Sequence, residues 1–567
     1  MAFSGAVKIG DLNDFIAPSQ ACVVSLQGGK LEVAADAEVQ LQQRPRGGGG
    51  GGFSQTLPAA PDQAVKVSLH DCLACSGCVT TAETVLLQHQ STGELLQRLA
   101  DPGWTVVVSL SPQSVAALAA LHGLPAADCG ARLAAFLRGL GVRAVFDIAE
   151  ARSLALAEAA AEFLQRYRAS SRGAATLAAA AASWNAAAAA GAAAAASQGG
   201  DAMEVDGAEA ALQQARDEAA AVGGLPMLAS ACPGWVCYAE KTHGEHVLLY
   251  ISTGKSPQAA MGTLVKRRWC GAAGLPPDRV YHCAVMPCYD KKLEASREDF
   301  WLPGTQVPET DCVLATTELQ ELLEQRGVDL RSLQGAPFDS ILPAPRAGAA
   351  PEAAGGGCSD QQGSLQHRQD MQQQQQAQPP AGAGSVVPAS SGSGGYLEHV
   401  FRAAAWQLFG QRLPPGELQM TVGRNADLRE VTLSVGGAPV LRFAAAYGFR
   451  NIQGLMRKVK LGRCEYDYVE VMACPSGCLN GGGQPKPAAG QTAAQLLEQL
   501  EVLYAGANGT SGGSCSSSSR EPEGHAAVQQ LYSEWVGAPP GSEAARQLLH
   551  TQYHKREKTV TATLADW

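Results

Sequence analysis

Positive charge is scarce in this 567-residue sequence: 43 Lys and Arg stand against 53 Asp and Glu, a net charge of −10. A general nucleic-acid binder needs clustered positive charge to displace counterions, so that class is disfavoured. No leader is expected either. The first twenty residues, MAFSGAVKIGDLNDFIAPSQ, have no basic stretch followed by an apolar one. They carry Asp11 and Asp14 and no Arg, unlike an organelle transit peptide, so the expected location is cytoplasmic. Long apolar runs are absent. The nearest is Ala174 to Ala196, almost all Ala and broken by Ser183, Trp184, Asn185 and Gly191. With Leu177 its one Leu, Ile, Val or Phe, it is a poor membrane span. Sixteen Cys are too few for a disulfide scaffold of this length. The His residues form no HExxH pair, and no catalytic residue is assigned.

Four low-complexity blocks divide what remains: Gly47 to Gly52, an Ala-rich block from about Ser170 to Gly224, a block from about Ala344 to Gly395 that holds Gln372 to Gln376, and Gly506 to Ser519. None has enough varied apolar surface to offset the entropy of ordering, so all four are expected to be disordered insertions. Cys358 and Cys515 lie inside them and are set aside as ligands. Between the blocks, short apolar runs alternate with helical stretches. The runs begin at Trp104, Arg143, Leu225, Val280, Cys312 and Tyr466. Continuous apolar strands spaced by helices predict an α/β fold with mainly parallel sheets covered on both faces. Several runs end at Ser111-Pro112, Cys232-Pro233, Pro287-Cys288 and Cys474-Pro475. Ligands of open α/β sheets sit at the carboxyl ends of strands, so three strands deliver Cys to one edge.

The Cys fall into two sets. Cys72, Cys75 and Cys78 have the C-x2-C-x2-C spacing that wraps one face of an iron–sulfur cubane. The usual fourth Cys is replaced by Ala82. Cys22 is the best substitute, being the only other Cys before Cys129. A zinc site that also uses His70 is the alternative. The second set is spread over ACPGW at Cys232, MPCYDKK at Cys288, and ACPSGCLNGGGQP at Cys474 and Cys478. Four thiolates suffice for a second cubane. The Gly481 to Gly483 run would let backbone approach an inorganic core and donate N–H groups to it. Thr253-Gly-Lys255-Ser256 looks like the end of a P-loop, but Leu249 stands where its first Gly belongs, so Lys255 is expected to be solvent-facing or adjacent to the site. Cys237, Cys270, Cys283 and Cys312 have no ligand spacing and read as packed or surface thiols.

With these motifs in this order, the sequence resembles the iron-only hydrogenase superfamily. Within it, the match is to the hydrogenase-like cytosolic iron–sulfur assembly factors, the nuclear prelamin A recognition factor-like proteins. The resemblance covers DLNDFIAPSQACV, CLACSGC and most of positions 103 to 343 and 396 to 503. It also covers the stretch from Leu531 to Glu557, which looks like the hydrogenase small subunit. It implies two α/β lobes, at 101–343 and 396–505, joined by a linker at 344–395. A small N-terminal cluster-binding segment occupies 1–100, a Ser/Gly linker 506–522, and a C-terminal region with a docking tail 523–567. It implies two [4Fe–4S] clusters, one on Cys22, Cys72, Cys75 and Cys78, the other on Cys232, Cys288, Cys474 and Cys478. True hydrogenases carry a proton-relaying Cys where this chain has Ala231, and a methyl group carries no proton. Lys291 matches a lysine near the hydrogenase di-iron site and keeps an H2-producing or H2-consuming enzyme as the alternative. The resemblance therefore implies a non-enzymatic factor that delivers clusters from scaffold proteins to apoproteins. The terminal Asp566 and Trp567 resemble a tag that docks on the cytosolic iron–sulfur targeting complex. No direct nucleic-acid or membrane partner is implied.

Overall fold

A computed structural model of the chain describes residues 90–182, 223–343, 392–414, 418–423, 425–507 and 526–556. Two sheets organise them. The first holds β1 (Thr105–Leu110), β2 (Ala144–Asp147), β4 (Val280–Met286) and β5 (Cys312–Ala315) in the order β2-β1-β4-β5. All its pairings are parallel. Runs such as TVVVSL and VYHCAVM are apolar on both faces, as a sheet covered on both sides requires. The second sheet holds β3 (Met227–Ala229), β6 (Thr421–Val422), β7 (Leu428–Val435), β8 (Ala438–Tyr447) and β9 (Tyr468–Met472) in the order β3-β9-β8-β7-β6.

The expected α/β architecture is present, with one addition. β3, β9 and β8 are parallel, but β7 and β6 extend that sheet antiparallel. The β7–β8 hairpin turns at Gly436 and Gly437, both with positive φ, which a tight hairpin needs for its twist to match the strands. β3 comes from the first half of the chain yet pairs with β9, Met227 opposite Tyr468.

Local signals set the helices. Ser111 caps α1 (Pro112–His122) by accepting from the Ser114 N–H at 3.2 Å, and Pro112 occupies the first turn. Asp147 caps α2 (Ile148–Ala169) through the Ala149 N–H at 2.8 Å. This 22-residue helix is buried almost all round. Its Ala, Leu and Phe residues belong to the cores of both sheets: Ala155, Ala159 and Phe163 on the second, Ile148, Ala151 and Leu154 on the first. Its charges are matched. Arg166 pairs with Glu162 at 2.6 Å, and Glu150 accepts from Ser340 and from the Ile341 N–H, each at 2.7 Å. Residues of the C-terminal region, including Val528, Leu531, Tyr532 and Leu549, pack on the first core.

The Ala-rich block departs from the expectation of disorder at its start. Residues 171–182 are helical, in keeping with the high helix propensity of Ala. Among the described residues, no helix is long and apolar enough to cross a membrane.

Candidate metal centre

Three strands and three tight turns deliver the second Cys set. Cys232 lies beyond the end of β3 and is the N-cap of α3 (Pro233–Val247), with Pro233 in the first turn. Cys288 follows β4 and precedes α4 (Asp290–Ala295). Cys474 follows β9, and the chain then reverses through Ser476 at φ 59° and Gly477 at φ 81° to bring Cys478 back. The Cys-Pro and Pro-Cys junctions thus mark strand carboxyl ends, the usual ligand edge of an α/β sheet. All four thiols line one cavity of about 60 Å³, where they meet Ala231, Met286 and Lys291. A single water needs about 10–15 Å³ on this scale, so the cavity has room for a compact group of several atoms.

Polar contacts fix the sulfurs. The Ala473 N–H points at the Cys232 sulfur at 3.4 Å, and Ser230 Oγ accepts from the Cys232 N–H at 3.0 Å. The Cys288 sulfur lies 3.5 Å from Asp290 Oδ2. Ser393 Oγ accepts from the Cys478 N–H at 3.2 Å. Each thiol is pushed above its ordinary pKa. Burial is the largest cause at Cys232, and the neighbouring Cys288, Asp290 and Cys478 add to it. Cys288 is raised first by its hydrogen bond to Cys474, then by burial. At Cys474 that same bond lowers the value, and burial with the charges of Cys232 and Cys478 outweighs it. Burial pushes Cys478 to about 11, against the opposing pull of Lys291. Four thiols that hinder one another's ionisation make a site that a multiply charged metal group would relieve, releasing protons as it bound.

Among the described residues, no three His, Cys, Asp or Glu groups converge tightly enough to hold a single ion. The thiols ring a cavity instead. An all-sulfur donor set of this kind suits a polynuclear iron–sulfur group, and the residues present fit one.

The glycine tail differs in detail from expectation. A Cβ on Gly481 would fall 2.3 Å from the Pro287 oxygen, and the Gly483 N–H donates to that same oxygen at 2.9 Å. The Gly481 N–H goes to the Cys478 carbonyl. These glycines press the Cys478 loop onto the Cys288 loop, and the N–H groups of Gly481 and Gly483 serve protein carbonyls. Lys255 does not face solvent. It is buried, with Nζ 2.6 Å from Glu309 and 2.8 Å from Thr263 Oγ1, because Glu309 supplies a buried counter-charge from a distant loop. Cys270, Cys283 and Cys312 are buried core thiols, and Cys237 is half-buried.

Sequence reasoning missed Ser393, placed at the end of a low-complexity block, and Asp290, hidden inside the MPCYDKK motif. The SGSGG spacing around Ser393 carried no signal of its own. Cys22, His70, Cys72, Cys75, Cys78, Asp566 and Trp567 lie outside the described residues.

Known proteins resemble this chain in sequence and in fold. The family described as iron only hydrogenase large subunit, C-terminal domain, matches residues 104–190 and 199–482. The iron hydrogenase small subunit family matches residues 514–556. Protein NAR1 of Arabidopsis thaliana is 40% identical over 572 residues, covering 100% of this chain and 99% of its own. Cytosolic iron-sulfur assembly component 3 of Mus musculus is 42% identical over 574 residues, with the same coverage. A variant of the [FeFe]-hydrogenase HydA1 from Chlamydomonas reinhardtii superposes with a TM-score of 0.58 at 24% identity, covering 82% of this chain and 99% of that one. At that identity the likeness speaks for the fold alone.

Proposed function

Because the chain belongs to the iron-only hydrogenase large-subunit family, and within it to the cytosolic iron–sulfur assembly components, we propose that it works in the cytosolic iron–sulfur protein assembly machinery. It holds one [4Fe–4S] cluster on Cys232, Cys288, Cys474 and Cys478. A second sits on Cys22, Cys72, Cys75 and Cys78. The protein passes cluster equivalents from scaffold proteins to the targeting complex and its apoprotein clients, with Asp566 and Trp567 as the docking tail. A terminal aromatic anchor beside a carboxylate suits such docking.

The observation that carries this reading is the convergence of one buried thiol, Cys232, and three half-buried ones, Cys288, Cys474 and Cys478, on one cavity in a chain about 40% identical, end to end, to named assembly components. The chain's own residues would hold a cluster and exclude water from it; the cluster itself supplies iron, sulfide and redox capacity. Ala231 lines the cavity where the hydrogenase relay would stand, so this chain has no side chain there to move a proton. The reading is therefore of a protein without hydrogenase activity.

Iron, acid-labile sulfide and zinc per chain, measured on anaerobically purified full-length protein, test it. Eight thiolates at four per cubane predict about eight iron and about eight sulfide. About four iron would remove one of the two Cys sets. Zinc without sulfide would overturn the reading. Infrared bands from iron-bound CO and cyanide would favour the hydrogenase alternative.

A further inference from the structure

Asp290 opens α4 two residues after Cys288 and is 2% exposed. Its Oδ2 is 3.5 Å from the Cys288 sulfur. The same oxygen abuts the amino end of α3, where a Cβ on Gly234 would fall 2.5 Å from it. Gly234 has ordinary helical backbone, so its missing side chain serves the carboxylate and not a turn. The amino end of a 15-residue helix offers unsatisfied N–H groups and the positive end of the dipole. That is a favourable setting for a buried negative charge.

The next residue does not cancel this charge. Lys291 Nζ is turned to Glu294, at 2.9 and 3.1 Å, and to Ser256 Oγ at 3.0 Å. The cavity is thus flanked by a carboxylate on its Cys288 side, while the lysine in its lining is ion-paired to Glu294.

We propose that Asp290 is a positioning residue that sets the reduction potential of the cluster on Cys232, Cys288, Cys474 and Cys478, its carboxylate holding that cluster in the oxidised form. This rests on the four-cysteine reading above. One electron added to the cluster by a chemical reductant adds negative charge beside the Asp290 carboxylate, which lies 3.5 Å from a ligand sulfur. Repulsion between them favours the oxidised state. Asp290→Asn keeps the size of the side chain and removes the charge. Gly234→Ala keeps the charge and displaces the oxygen from Cys288.

The test uses full-length protein in which Cys72, Cys75 and Cys78 are replaced by Ala, so that only the set on Cys232, Cys288, Cys474 and Cys478 can contribute. Iron and sulfide are counted, and a dithionite titration followed by electron paramagnetic resonance gives the midpoint potential. For Asp290→Asn, the expected shift toward the reduced form is roughly tenfold or more in the equilibrium constant, about 59 mV upward for one electron. Gly234→Ala should shift it the same way by less. If a variant keeps its iron and its potential is unchanged, the proposal fails while the cluster reading stands. If both variants lose iron, the proposal also fails, and Asp290 is part of the scaffold of the site. If the parent protein itself holds no iron, the four-cysteine reading is what falls.

Discussion

Gly477→Ala is the sharpest single perturbation of the candidate site. Gly477 has φ 81° and ψ −159°, a region open to glycine and strained for any other residue. Forcing Ala into it costs about 1–3 kcal/mol. The new methyl would also sit 2.1 Å from Ser393 Oγ. Ser393 must rotate, giving up the 3.2 Å bond it accepts from the Cys478 N–H, worth about 1 kcal/mol. Together these come to about 2–4 kcal/mol, borne by the turn that aims Cys478 and not by either core. Bound iron should then leave for a chelator with an equilibrium roughly 30- to 700-fold more favourable than in the parent. Global unfolding should change little. The control is Gly436→Ala, at φ 60° in the β7–β8 hairpin with open space around it. It bears a similar kind of backbone strain far from the thiols and should keep its iron. Chelator competition with thermal unfolding in parallel reads both. If Gly477→Ala retained iron like the parent, or if Gly436→Ala lost it equally, the turn would not be what positions Cys478.

Two further outcomes follow from buried charge. Glu158 on α2 is fully buried and ties down the C-terminal region, accepting from Tyr532 Oη, from the Gly541 N–H at 2.9 Å and from His550 Nε2 at 2.9 Å. Glu158→Gln removes the charge and turns an N–H2 toward donors, at a cost of about 2–4 kcal/mol; faster hydrogen exchange across residues 526–549, with β1 and β4 unchanged, is the expected readout. His282 is neutral in its site, between Ser109 Oγ at 2.8 Å and the Glu309 carbonyl at 3.1 Å, and burial pulls its pKa down to about 4. Its folded pKa lies below the unfolded value of about 6.5, so its contribution is full above that pH and is lost as the pH falls toward 4, by about 1.4 kcal/mol per unit. Glu150 and Asp467, raised by burial to about 7 and about 6, act with the opposite sign. The comparison must therefore be between the parent and His282→Gln, whose difference in unfolding free energy should shrink between pH 6.5 and 4; a constant difference would refute the assignment.

The legible parts of this fold were those where one physical signal dominated. Six apolar runs became β1, β2, β3, β4, β5 and β9, because strands buried on both faces leave room for few polar residues. The Cys beside Pro were readable as strand ends, since Pro cannot continue a ladder but suits the first turn of a helix. The antiparallel hairpin was missed although Gly436-Gly437 is its marker. β7 alternates polar and apolar residues and lacks the continuous run of the others. Pairing of β3 with β9 was not legible, because partner choice across about 240 residues is set by packing and not by local pattern. Ser393 was lost for a related reason. Its neighbours are Gly and Ser in a block that reads as filler, and only the folded Cys478 turn gives its hydroxyl a partner.

The placement of the four Cys also says why such a site needs the whole fold. Cys232 and Cys474 follow strands of the second sheet, Cys478 lies past the turn after Cys474, and Cys288 follows a strand of the first. No local segment contains a complete set, so a group bound by all four would tie the two sheets together. The loops do not depend on such a group for their approach. Gly483 is hydrogen-bonded to Pro287, and Thr317 N–H donates to the Gly483 carbonyl at 3.1 Å. The donors are therefore pre-placed by packing, and little binding energy need be spent on ordering them. What must be spent is proton release, since burial and mutual repulsion hold all four sulfurs protonated at neutral pH. Binding of a metal group by all four sulfurs would therefore release protons, and its affinity would weaken as the pH falls.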